Sequence, residues 1–132
     1  MQFFKNYLIA LVVFTLIDLV WLVFISRKLY QDKLGHLMAA KVNLPAAAIF
    51  YLLFIAAMVF FVINPALAKT SILYAVGAGA FFGLVTYATY DLTNLATLRD
   101  WPVVITVIDL AWGTFVTSAT SALTTWISGR WA

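Results

Sequence analysis

Thr86 to Gly113 reads TYATYDLTNLATLRDWPVVITVIDLAWG. The stretch ends one apolar run, turns through Arg99, Asp100, Trp101 and Pro102, and starts another. The turn is too short for anything but an antiparallel pair of neighbours. Both arms carry a carboxylate, Asp91 before the turn and Asp109 after it. Acids inside apolar runs are costly, so how these two are tolerated decides what kind of fold the chain has.

Composition supplies the setting. The chain has 132 residues, 65% of them hydrophobic and only 10% charged. Its mean hydropathy is +1.03. A soluble domain covers itself with about 25% charged residues, so lipid must cover much of this one. There is room for a single domain, residues 1–132. The net charge of +3 does not point to nucleic acid, because the basic residues fall between apolar runs, at lipid-headgroup level. There is no cysteine, which excludes disulfides, thiolate metal sites and thiol nucleophiles. One histidine, His36, cannot supply a site needing two imidazoles from one subunit.

Outward from the hinge the chain divides into four apolar runs. A hydrocarbon core about 30 Å thick needs about 20 helical residues. The expected spans are residues 6–26, 44–64, 71–92 and 102–127, an all-α membrane bundle of four helices. The first run is too long for a signal peptide and holds Asp18 inside it. Residues 26–43 are polar and basic, but Leu29, Leu34, Leu37 and Met38 allow a short amphipathic helix on the membrane surface. Asn43 can cap the second span, Pro45 fits its first turn, and Asn64-Pro65 is expected to end it. That span has no charge and is expected to face lipid most. Two periodic faces flank the hinge. Ala75, Gly79, Gly83, Tyr87 and Asp91 recur every four residues, as do Asp109, Gly113, Thr117, Ser121 and Thr125. Small residues at that spacing let helices approach closely, and these two faces are expected to meet.

Four spans put both termini on one side. The two hairpin loops carry Arg27, Lys28, Lys33, Lys41 and Arg99, and the other side carries Lys5, Lys69 and Arg130. Five against three favours cytoplasmic loops and external termini in an inner membrane. Trp101 on one side, with Trp126 and Trp131 on the other, fits interfacial belts.

The acids form the candidate site. Asp18 and Asp109 each lie about 10–12 Å below the same face, at 1.5 Å per residue, and Asp91 approaches that face too. A charged Asp at the centre of a lipid-facing helix costs about 2.5–3.5 kcal/mol. Three of them must face inward, pair, protonate or bind something. Asp18-Leu19-Val20-Trp21 is echoed by Asp109-Leu110-Ala111-Trp112. Chance would give about 0.2 Asp-x-x-Trp pairs from five of each residue, and two occur. The copies run in opposite directions, like the halves of an inverted repeat. Residues three apart share a helix face, so an indole N–H can reach a carboxylate on a neighbouring helix. Tyr87, Tyr90, Thr93 and Asn94 surround Asp91 and complete the candidate ligand set. A helix C-terminus opposes an acid, so either the helix continues to about Leu98, or Asp91 caps a short following helix, or a cation sits nearby, with Arg99 as a partner. Ala75, Gly79, Gly83, Gly113 and Thr117 are the candidate packing residues.

Along Tyr90-Asp91-Leu92-Thr93-Asn94, Trp101-Pro102 and the two Asp-x-x-Trp segments, the chain resembles the domain of unknown function 2177 family of small bacterial integral membrane proteins. The resemblance covers nearly the whole chain. It implies a four-helix inner-membrane protein and no assigned activity.

Three functions stay open. The acids could bind a proton, a cation or a small cationic substrate, with a dimer supplying a transport path. They could serve a membrane-embedded lipid-modifying enzyme or its accessory subunit, where two carboxylates do acid–base work or hold a hard metal. Or the chain could be an assembly subunit whose small faces dock a membrane partner, the acids being polar glue. The sequence leaves any cofactor open. The expected partners are the lipid bilayer and a second copy of the chain or another membrane protein, with no nucleic acid.

Overall fold

A computed structural model of the chain describes residues 2–35 and 43–130. Four long helical rods follow the four apolar runs, with no strand among the described residues. The first rod is α1 (Gln2–Val20), a π-helical stretch (Trp21–Ser26) and α2 (Arg27–Leu34). The second is α3 (Leu44–Met58), a second π-helical stretch (Val59–Ile63) and α4 (Asn64–Ala68). The hinge joins α5 (Ile72–Thr97) to α6 (Val103–Arg130). Phe3–Phe24, Leu44–Ala68, Ile72–Thr97 and Val103–Arg130 are each long and apolar enough to cross a bilayer. Large apolar side chains stand exposed all around them, Phe24 by 79% and Leu73 by 81%. Lipid is the solvent that suits such a surface.

The expected cap holds at Asn43, whose Oδ1 accepts the Ala46 N–H at 3.2 Å. A second cap, not read from the sequence, is Ser71, whose Oγ accepts the Tyr74 N–H at 3.0 Å. Asn64-Pro65 does not end the second span. Proline lacks an N–H and crowds the preceding turn. Here the wider π-helical turns at Val59–Ile63 precede it, and the helix runs on to Ala68. The rod closes at Lys69-Thr70, where Thr70 takes a positive φ of 52°. The amphipathic segment after the first span continues that span's helix to Leu34 instead of forming a separate piece. Leu29 and Leu34 pack with Trp101 and Ile105, while Lys28, Asp32 and Lys33 are exposed. His36, Leu37, Met38 and Lys41 lie outside the described residues. Trp101 is not a belt residue. It is 8% exposed, and its indole donates to Thr106 Oγ1 at 3.0 Å. Trp126 is exposed, with the Arg130 guanidinium 4.9 Å from its ring centre. Trp131 lies outside the described residues.

The α5–α6 pair is the spine of the bundle, and its two small faces meet in register. Gly79 lies against Ser118 and Ser121, Gly83 against Gly113 and Thr117, and the Tyr87 ring lies on Gly113. Asp91 faces Asp109. Buried Ala75 and Thr125 continue the series at the far end. A Cβ on Gly79 would come within 2.9 Å of Ser121 Oγ, and one on Gly83 would strike the Gly113 carbonyl. The faces considered for docking a partner are thus used within the chain.

Helix α1 and the second rod pack on this pair. Ala10, Phe14, Phe54, Ile55, Met58, Val59, Ile63 and Val116 form the apolar core. The first span, not the second, is the least buried of the four. Uniform apolarity does not assign a helix to lipid, because a membrane-protein core is as apolar as the lipid around it. At the end away from the acids, Asn6 Nδ2 donates to Asn64 Oδ1 at 2.8 Å, and Ser128 Oγ donates to Asn6 Oδ1. Lys5 Nζ reaches the Ser128 carbonyl at 3.4 Å.

Candidate functional site

Three rods bring the acids into one cavity of about 170 Å³. From the first rod come Asp18, Trp21 and Leu22. From α5 come Tyr87, Tyr90 and Asp91, and from α6 come Asp109 and Trp112. No described lining residue is basic.

Local structure explains the convergence. Asp18 lies on the last α-helical turns of α1, and the π-helical stretch begins at Trp21. Widened turns of this kind recur at functional sites because they re-aim side chains. The two Asp-x-x-Trp copies meet. The Trp21 and Trp112 rings stack with centroids 4.4 Å apart and planes 10° apart. Across helices, the Trp112 indole N–H points to Asp18 Oδ1 at 3.4 Å. The second oxygen of Asp18 accepts the Tyr51 hydroxyl from α3. Asp18 therefore joins α1 to both α3 and α6.

Asp91 is in a different position. It is fully buried, and neither carboxylate oxygen receives a donor from a described residue. The Asp109 carboxyl group lies beside it in the same cavity. Two ionised carboxylates have no proton to share and repel each other; a single proton between them converts the contact into a hydrogen bond. Helix α5 continues to Thr97, so Asp91 sits within it and not at its end. Arg99 is exposed beyond that end and is not the partner of Asp91.

Of the nine residues expected to bind a ligand, seven line the cavity: Asp18, Asp91, Asp109, Trp21, Trp112, Tyr87 and Tyr90. Thr93 and Asn94 do not. Thr93 is exposed, and its carbonyl accepts the Thr97 hydroxyl at 2.8 Å. The Asn94 carbonyl accepts the Leu98 N–H at 2.8 Å where the helix closes. Gly79, Gly83, Gly113 and Thr117 lie in the α5–α6 seam, and Ala75 is buried one turn before Gly79; none of the five lines the cavity. Tyr51 and Leu22 were missed. A signal for Tyr51 exists: it lies seven residues into Leu44–Ala68, at a depth matching Asp18 near the end of Phe3–Phe24. No set of described residues is arranged to hold a metal ion.

A family model described as "Predicted membrane protein (DUF2177)" matches residues 3–126. No curated protein and no solved structure matches the chain.

Proposed function

The chain belongs to the DUF2177 family of predicted membrane proteins, and on that premise we propose that the acid cavity binds a small cation in exchange for protons. The observation that carries this reading is Asp91. Its buried carboxylate has no donor, faces Asp109, and shares its cavity with Asp18. Each ionised Asp within a membrane is expensive, and no described basic side chain lines the space to offset three. Protons or a cation restore neutrality. The aromatic lining from Trp21, Trp112, Tyr87 and Tyr90 favours an organic cation, since ring faces attract ammonium groups.

Asp18 has the firmer structural role. Its partners Tyr51 and Trp112 tie three rods together, as polar glue does in membranes. Asp91 and Asp109 are then the exchanging pair. The loop charges, five against three, support a reading with the acid-bearing end at the cytoplasmic side of an inner membrane.

The test is binding of butyltrimethylammonium, a permanent cation, to protein in lipid nanodiscs, followed by tryptophan fluorescence. The stacked Trp21 and Trp112 serve as reporters. Wild type should bind saturably, and Asp91→Asn with Asp109→Asn should lose at least tenfold in affinity. Absence of saturable binding by folded wild-type protein defeats the reading.

A further inference from the structure

Next to the acid cavity, an apolar groove of about 580 Å³ is lined by Phe50, Thr86, Tyr87, Thr89 and Tyr90. It lies between the first half of α3 and the second half of α5. Leu44 to Phe50 are all exposed, so this end of α3 stands off from the bundle. The two threonines add no free polarity. Thr86 Oγ1 donates to the Phe82 carbonyl at 2.9 Å, and Thr89 Oγ1 to the Val85 carbonyl at 2.8 Å. Their hydroxyls are satisfied within their own helix, so what they offer a ligand is apolar.

Tyr87 and Tyr90 line both spaces. The apolar groove therefore meets the acid cavity at these two rings. We propose that the ligand is a single-chain amphiphile with a cationic amine head, the head lying among the acids and the tail in the groove. This rests on the cation reading above and names the class of cation. Charge selects the head: among the described residues the small space holds three carboxyl groups and no base. The same charge repels the phosphate of an ordinary phospholipid. The groove volume falls in the range of small-molecule sites, about 300–1,000 Å³.

The experiment compares butyltrimethylammonium, dodecyltrimethylammonium below its micelle concentration, and uncharged dodecanol. Each is titrated into nanodisc-embedded protein, with partition into empty nanodiscs subtracted. Wild type, Thr89→Phe, Thr86→Phe and Asp109→Asn are used. The expected result is at least tenfold tighter binding of the dodecyl than of the butyl cation. The groove-filling variants should erase that gain while binding the butyl cation as wild type does, which also shows that they are folded. Equal affinity for both cations, or a gain untouched by both groove variants, overturns the proposal and leaves the cation site standing. Dodecanol binding as tightly as its cationic counterpart, and unaffected by Asp109→Asn, overturns it in favour of a lipid-tail crevice. If neither cation binds, the underlying cation reading fails and takes this one with it.

Discussion

Asp18, Asp91 and Asp109 look alike in sequence and differ in their surroundings. Asp18 has a phenol and an indole as partners, Asp91 has neither, and Asp109 faces Asp91. Tyr51→Phe removes one interhelical hydrogen bond. Such bonds in membranes average about 0.6 kcal/mol and reach about 1.7. We therefore expect a stability loss of about that size in reversible unfolding by SDS from mixed micelles, with cation binding kept. Asp91→Asn should be neutral or stabilising in the same assay, because a neutral amide replaces a group without donors and can itself donate to Asp109. A strong destabilisation would show that Asp91 is structural. The acids and their Asp-x-x-Trp repeats were legible because polar residues stand out in apolar runs. Tyr51 was legible only through its depth, which matches that of Asp18; a tyrosine in such a run is otherwise ordinary. Arg99 misled because it is close to Asp91 in sequence, but six further helical residues carry it away.

At the scale of elements, α5 and α6 meet through a four-residue spacing that is legible in the amino-acid sequence. Gly83 is the tightest point of this seam. Gly83→Leu would drive a side chain into the Gly113 carbonyl and Thr117. Overpacking of this kind costs about 1–3 kcal/mol or more, so SDS unfolding should shift strongly. Gly77 is the control, since a Cβ there meets nothing within 4 Å. Gly77→Ala should leave stability unchanged or raise it slightly, by helix propensity. Equal effects at the two glycines would argue that the seam is not the spine of the fold. The π-helical stretches were not legible. Local sequence reads Asn64-Pro65 as a stop, whereas the helix absorbs the proline by widening the turns before it. The stand-off at the start of α3 was equally hidden, because apolar residues facing a groove, lipid or a core read alike.

For the whole molecule, the fold class was legible: four apolar runs gave four long helices, and the family match over residues 3–126 agrees with a membrane protein. Orientation is a separate matter and rests on five loop charges against three. The absence of native cysteine makes it directly testable. A single cysteine at Thr97, near the acid-bearing end, should resist an impermeant maleimide added to intact cells. One at Lys69, at the opposite end, should react. The reverse pattern would invert the topology and place the cavity at the outer face without altering its chemistry.

The claim that the acids exchange protons for a cation is tested most directly by counting protons. Butyltrimethylammonium carries none of its own, so any release on binding comes from the protein. Added to saturation to wild-type nanodiscs in weak buffer at neutral pH, it should release a proton for each cation bound. The Asp91→Asn, Asp109→Asn double variant should release none. Binding without release by wild type, or equal release by the double variant, would contradict the account.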